Sequence, residues 1–488
     1  MEILMTVIMG EIANRSISFL IDKCSSAPKN QDERLHDLQR LLLRVNVIVE
    51  EAEGRDITNK AMLYQLNMLR KEMYRGYFIM DNFRSQANNE EKNSEDGNVS
   101  HHFTPSKLNP AKRLFFSTSD NAHGKRELQQ SLYNLNNVIV DVSEFKAFLR
   151  NYPPLYRQPY SMHLFLDKSM FGRQMEMERI LNFLMLPEPS APPITKRVAV
   201  LPIVGVANTG KSTLVAHVCN NERVRNHFGK IVFITENDLK DRGLINLKDR
   251  DVVLQPNSPL NGNGQVLAII EFSEDIDEAA WRSCLACATC LGSVVKIIIT
   301  SRSEKITRFG TTEALVLNLL PLEAYWYFFK VLTFGSADPK DQPRLESVAL
   351  DICKSISGSF LNAHIFSSVL RADLSTTHWC MVQATLRGIM TRNACLSYEC
   401  CVNRKNPVYV RGRVTNDLFA IYPSTEISSD ETVPETTLPE LLLGGVRCEG
   451  KFEVLALKSR IAPYKNYTNT CEMLTPRSTK AKRHQKPR

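Results

Sequence analysis

The sequence predicts a multidomain protein of α and α/β class. It should hold an N-terminal four-helix bundle, a parallel sheet with flanking helices, a small helical domain and an irregular C-terminal region. Three observations carry that expectation. Apolar residues recur at helical spacing through the first 150 positions. Short β-rich runs separated by helix-length segments follow. Among them stands an unbroken G-x-x-x-x-G-K-S, "GVANTGKS", at residues 205–212.

Composition sets the class. Hydrophobic residues make up 43% and charged residues 23% of 488, the balance of an ordinary globular protein with room for several cores. Twelve scattered cysteines suit a reducing compartment better than a disulfide framework. The net charge of +8 is uneven, because the tail 477–488, "RSTKAKRHQKPR", has six Lys or Arg and no acid. It reads as a solvated, disordered tail, with nuclear import as a minority reading; nucleic acid is not expected as a partner. "MEILMTVIMGEIANRSISFLI" lacks a basic leader and a cleavage site, so it reads as a helix rather than a signal peptide. No uncharged apolar run is long enough to span a membrane, and the chain is expected in the cytoplasm.

The elements follow in order. Residues 1–84 with 125–150 form the bundle. Leu35, Leu38, Leu42, Val45, Val49 and Ala52 make one apolar stripe, Met62, Leu66, Leu69, Met73, Gly76 and Met80 another, and Leu128, Leu132, Leu135, Ile139 and Val142 a third. Helices with one apolar face must pack on one another. The polar segment 85–124 between them reads as a disordered loop. Residues 168–334 carry the runs "RVAVLPIV", "KIVFI", "VLAII", "VKIIIT" and "ALVLNLL" and should form the nucleotide-binding domain. Pro202 is awkward inside the first run, since it cannot donate to a ladder. Residues 335–392 are helical in pattern, 393–476 show only weak strand-like runs, and no repeat of fixed period is visible.

The candidate site centres on the glycine-rich loop, which makes the sheet one of P-loop NTPase type. Glycines let backbone N–H groups converge on phosphate oxygens, and the helix that starts at Thr213 turns its positive end to the same anion. Gly205, Asn208, Thr209, Gly210, Lys211, Ser212 and Thr213 are therefore the nucleotide-binding candidates. Lys211 would neutralise the terminal phosphates and Ser212 would ligate Mg²⁺. Glu271, just after the apolar run Leu267–Ile270, is the second Mg²⁺ candidate and the sole catalytic one. Asp275 and Asp277 read as acids at a helix start. Arg302, at the carboxyl end of "KIIITSR", is a γ-phosphate sensor or a surface arginine, the former preferred. Cys284, Cys287 and Cys290 have no fourth ligand at a familiar spacing and read as core residues.

In this order the motifs resemble the NB-ARC region of plant intracellular immune receptors, more narrowly the coiled-coil class of disease-resistance proteins in a form common in grasses. The resemblance covers roughly residues 1–370 and rests on "FGRQMEMERILNFL", "GVANTGKST", "VCNNERVRNHFGKIVFI", "KIIITSRSEKI" and "LNLLPLEAYWYFF". It implies ADP or ATP with Mg²⁺, with Phe171, Gly172 and Arg173 lining the adenine side. It also implies that "MYRGYFIMDNF", whose acid is Asp81, touches the nucleotide-binding domain. The bundle would pair with other immune receptors or with itself. The chain departs from the pattern at Phe272, where a second acid would orient water, so at most slow ATP hydrolysis is expected. The Gly-Leu-Pro-Leu block is reduced to Gly358, Ser359, Phe360 and Leu361, and neither a Met-His-Asp block nor leucine-rich repeats are found. The alternative is a nucleotide-independent adaptor that pairs through the bundle.

Overall fold

The computed structural model describes residues 31–53, 55, 57–95, 110–152, 170–186, 197–235, 265–272, 275–289, 294–356, 358–392, 407–411, 417–422, 425–427, 432–443, 450–459 and 466–474. The expected first helix and the basic tail lie outside them.

Helix α1 (Gln31–Glu53) buries Leu38, Leu41, Leu42, Val45, Ile48, Val49 and Ala52, the predicted stripe plus its neighbours at three- and four-residue steps. Helix α2 (Lys60–Glu95) begins where the Asn59 carboxamide oxygen accepts from the amides of Ala61 and Met62, at 2.9 and 3.2 Å. It packs against α1 and against α3 (Pro110–Asp141), which is followed by the short α4 (Ser143–Leu149). Gly76 sits where the three long helices meet. A Cβ there would lie 2.7 Å from Leu42 Cδ2 and 3.2 Å from Leu135 Cδ1, so its bare backbone sets the closeness of the bundle. Among the described residues the bundle has these three long helices, and the fourth predicted one falls in 1–30. The loop expected over 85–124 needs correction: the backbone is helical to Glu95 and again from Pro110. Once the packed turns are fixed, each added residue gains a hydrogen bond without a new nucleation cost, and proline suits a first helical turn.

After α5 (Gln174–Met185) comes the parallel sheet: β1 (Arg197–Val204), β2 (Lys230–Thr235), β3 (Gln265–Phe272), β4 (Val294–Ser301) and β5 (Leu315–Val316), in spatial order β2-β3-β4-β1-β5. Every pairing is parallel, as the crossover spacing predicted. One face packs on α5 and on α6 (Lys211–Cys219), through Ile180, Leu184, Ile203, Leu214 and Ile298. The opposite face packs on α8 (Glu278–Thr289), through Ile270, Phe272, Trp281 and Ile299. The short α7 (Glu222–His227) links α6 to β2.

Pro202 is accommodated on the side of β1 that β5 barely reaches. Val200, two residues earlier, exchanges hydrogen bonds with Thr311, and β5 pairs only with Ile203 and Val204. The proline ring lies where Gly310 has no side chain, since a Cβ there would sit 2.5 Å from Pro202 Cγ. Lys296 is buried in the middle of β4, 4% exposed, and donates to the carbonyls of Phe183, Leu184 and Leu186 at 2.7, 3.0 and 2.7 Å. Its charge closes the carbonyl end of α5, where the helix dipole favours a cation.

Helices α9 (Leu322–Phe334), α10 (Pro343–Ser355), α11 (Phe360–Arg371) and α12 (Thr376–Arg392) follow. They share one apolar core with the bundle, and Tyr325, Trp326 and Trp379 are wholly buried in it. By packing, the chain therefore divides before α9 rather than after residue 334.

In the C-terminal region the described residues are short strands and one short helix, two of the strands lying in the strand-like runs of the sequence. Strands β6 (Val408–Arg411), β7 (Leu418–Ile421), β8 (Thr425–Ile427), β9 (Lys451–Lys458) and β10 (Asn466–Leu474) form an antiparallel sheet built around β10, with α13 (Leu438–Leu443) between β8 and β9 in the chain. Val410, Phe419, Leu441, Val454 and Cys471 form its core.

Candidate functional site

The carboxyl ends of β1, β3 and β4 bring the site together. At the end of β1, Gly205 passes so close to the next segment that a Cβ would lie 2.5 Å from the Leu317 carbonyl oxygen. Asn208 and Gly210 both have positive φ, 60° and 87°. Alternation of left- and right-handed residues turns successive N–H groups inward, the geometry of an anion nest. Gly210 is also the N-cap of α6, whose positive end faces the same concavity. Thr209 is buried, and its hydroxyl donates to the Val206 carbonyl at 2.9 Å, tying the loop to itself.

Lys211 is 8% exposed, and its ammonium donates to the Gly205 and Val206 carbonyls at 2.7 and 2.9 Å. Burial, with the nearby Arg302 charge adding to it and Glu271 opposing, lowers its pKa to about 8. A desolvated ammonium held at the rim of an amide nest suits a polyanion. Ser212 Oγ donates to Glu271 Oε1 at 2.8 Å, so the two predicted Mg²⁺ ligands, 59 residues apart in sequence, are already side by side. Thr213 is half-buried on the first turn of α6, and Arg302 is exposed at the end of β4. The loop, the paired hydroxyl and carboxylate and the two cations fit a nucleotide polyphosphate with a hard divalent ion.

Phe272 is 2% exposed and turned to the other layer, against Trp281 and Phe309 on the α8 side. Asp277 caps α8, accepting from the Ala280 amide at 2.7 Å. Asp275 pairs with Lys305 at 2.5 Å, and that hydrogen bond, then one from Ser303, holds its carboxyl below the usual range. Asp277 thus belongs to the helix start, as read, whereas Asp275 ties to the segment after β4. Cys284 is a buried core residue; no cluster of three metal-binding side chains occurs among the described residues, and the side chains of Cys287 and Cys290 lie outside them.

Of the trio implied for the adenine side, Phe171 is packed in the helical core, its ring centroid 5.4 Å from Tyr74 and 5.2 Å from Phe328. Gly172 takes φ +68°, and Arg173 is 4% exposed. Two features of the site were not read from the sequence. Thr300 is 1% exposed at the end of β4, on the α6 side, and its hydroxyl has no partner among the described residues. Phe360 reaches the loop, its ring edge 3.9 Å from where a Gly210 Cβ would lie. The polar residue ending an apolar strand would have flagged the first; the second stands in the reduced Gly358–Leu361 block, which the resemblance had marked only as a departure.

Comparison with known proteins agrees with the motif order. No family model matches the chain. Disease resistance protein RGA2 of Solanum bulbocastanum is 23% identical over 385 residues, covering 74% of this chain and 37% of that protein. Putative disease resistance protein RGA1 of the same species is 24% identical over 367 residues, 72% of this chain and 35% of its own. A putative disease resistance RPP13-like protein 1 of Arabidopsis thaliana is 23% identical over 371 residues, 71% and 34%. The chain thus spans about a third of the length of these relatives. Among solved structures, C. elegans PCH-2 is similar over 40% of this chain and 61% of its own at 13% identity, with a TM-score of 0.26, too low to bear on the argument. On the sequence matches the resemblance holds, and the curated homologues of this chain are plant NB-ARC disease-resistance proteins.

Proposed function

We propose that the chain is an ADP/ATP-binding switch of the plant defence response, with Mg²⁺ held at Ser212 and Glu271. The observation that carries this reading is the buried Lys211 ammonium on an amide nest, beside the Ser212–Glu271 pair. Loop amides and Lys211 would bind the phosphates, and Arg302 would sense the terminal one. Bound Mg²⁺ would supply charge neutralisation between phosphate oxygens. Hydrolysis is slow or absent in this reading. The one described carboxylate beside Ser212 is Glu271, and position 272 carries a buried phenylalanine.

In such a switch the nucleotide favours one packing of the domains through differential contacts. The bundle, joined to α9 and α10 by a shared core, would be the signalling or pairing surface toward other immune receptors or a second copy. The test is mass spectrometry of small molecules released from gently purified protein, wild-type against Lys211→Ala. Retained ADP or ATP in the wild type alone supports the switch. A wild type that takes up no nucleotide at millimolar Mg-ATP and still pairs through its bundle would favour the adaptor reading, which the bundle's docking on α9 also suits.

A further inference from the structure

Arg173 occupies a place that a base-lining residue does not need. It precedes α5, is 4% exposed, and carries a planar guanidinium. Such a group needs partners for its donors, and both terminal nitrogens have them, while Nε has none among the described residues. One terminal nitrogen donates to the Glu176 carboxylate at 3.0 Å. The other donates to the Asn318 carbonyl at 2.5 Å and, more weakly, to the Thr209 carbonyl at 3.4 Å. The guanidinium lies 5.8 Å from the centre of the Phe360 ring.

Each of these partners belongs to a different part of the molecule. Thr209 is in the phosphate loop. Asn318 follows Leu317, whose amide donates to the Val204 carbonyl at 2.7 Å and whose own carbonyl abuts Gly205. Three residues beyond Asn318, Pro321 caps α9, the helix whose Trp326 and Lys330 hold Asp81 of the bundle. Phe360 opens α11 and meets Phe328 of α9 edge-on at 5.2 Å. Because the peptide unit is planar and trans, turning the Thr209 carbonyl toward Arg173 turns the Gly210 amide the opposite way, away from the guanidinium.

We propose that Arg173 is a positioning residue that sets the amide orientation of the phosphate loop and transmits it to α9 and the bundle. The loop and the docked bundle then respond to one another through a single planar cation, in both directions. The transmission half rests on the nucleotide reading above; the loop-setting half does not.

The experiment is amide hydrogen exchange on the full chain, wild-type against Arg173→Lys, each with and without saturating Mg-ADP. Lysine keeps the charge but has a single nitrogen in place of the planar fork, so it cannot hold Glu176 with one nitrogen and the Thr209 and Asn318 carbonyls with another. Without nucleotide, exchange at 205–213 is expected to quicken about tenfold in the variant, as for one lost charge-assisted bond. With nucleotide, the wild type is expected to gain protection both at 205–213 and at 322–334, whereas the variant, even when saturated, gains it at 205–213 alone. Unchanged exchange at 205–213, or equal protection of 322–334 in both proteins, overturns the proposal. Should the wild type bind no ADP, the nucleotide reading fails, and the comparison without nucleotide still decides the loop-setting role. If Arg173→Lys does not fold, Glu176→Gln loosens the same guanidinium: a smaller quickening at 205–213 supports the role, and none overturns it.

Discussion

The indole N–H of Trp326 donates to the Asp81 carboxylate at 2.7 Å, across a junction where Asp81 is 1% and Trp326 0% exposed. Lys330, one turn further along α9, reaches the same oxygen at 2.6 Å and lies over the rings of Tyr77 and Trp326. Asp81→Ala leaves an indole donor and an ammonium buried, with Glu346 at 3.8 Å the acid still paired with Lys330. The expected loss is about 3 kcal/mol of stability, read by urea denaturation. Asp81→Asn keeps an acceptor for Trp326 and should lose less; equal losses would show that the indole bond contributes nothing.

Glu346, on α10, faces Asp81, Lys330 and Arg84 inside this junction, and burial first, then the Asp81 charge, raises its pKa to about 7. A carboxyl raised from its ordinary 4.5 in the folded state adds stability that is complete below 4.5. That stability is lost as pH rises through about 7. The melting temperature should therefore be higher at pH 5.5 than at pH 8, and Glu346→Gln should flatten the difference. The chain's ten histidines titrate in the same window, so the difference between the two profiles is the test: a Glu346→Gln profile as steep as the wild type's would contradict the assignment.

Lys211→Ala should weaken ADP binding about a hundredfold, roughly 2.7 kcal/mol, while leaving the fold intact, because its ammonium is held at a desolvation cost. Wild-type affinity should also depend on pH. The free ammonium titrates near 8 and a bound phosphate would raise that value, so binding takes up protons and weakens as pH climbs above 8. Calorimetry in two buffers of different ionisation enthalpy measures the uptake at pH 8.5 directly; none there would show that Lys211 does not meet the phosphates.

Gly205→Ala places a methyl 2.5 Å from a backbone oxygen, where no flexible side chain can give way. The loop or the 317–318 segment must move. We expect a loss of about 2 kcal/mol in stability together with loss of nucleotide retention. Normal retention would show that the close approach is dispensable.

The bundle and the parallel sheet were legible because their signals are local and periodic. Leu38, Leu42, Val45 and Val49 announce a helix within four turns, and "GVANTGKS" fixes a turn and the helix after it. The pairing of Ser212 with Glu271 was legible only in outline, through the strand-end position of the acid. What escaped depends on distant partners. The role of Lys296, a charge inside the run "VKIIIT", shows only once α5 and its C-cap lay three carbonyls over it. The strands Leu418–Ile421 and Thr425–Ile427 are too short to show a period and exist because β10 pairs with them, whereas Val408–Arg411 and Lys451–Lys458 lie in the weak strand-like runs. Helix α9 has the sequence of a final element of the sheet domain, yet its aromatic residues complete the core of the bundle.

That shared core fixes the mechanical parts. The bundle cannot be peeled from α9 to α12 without baring Trp326, Tyr327 and Phe328 to solvent, so separating them would cost the burial of those rings. The sheet keeps its own two cores, and two segments run between it and the shared one, residues 171–173 ahead of α5 and 318–321 ahead of α9. Both pass beside the rim of the nest, at Arg173 and at Asn318.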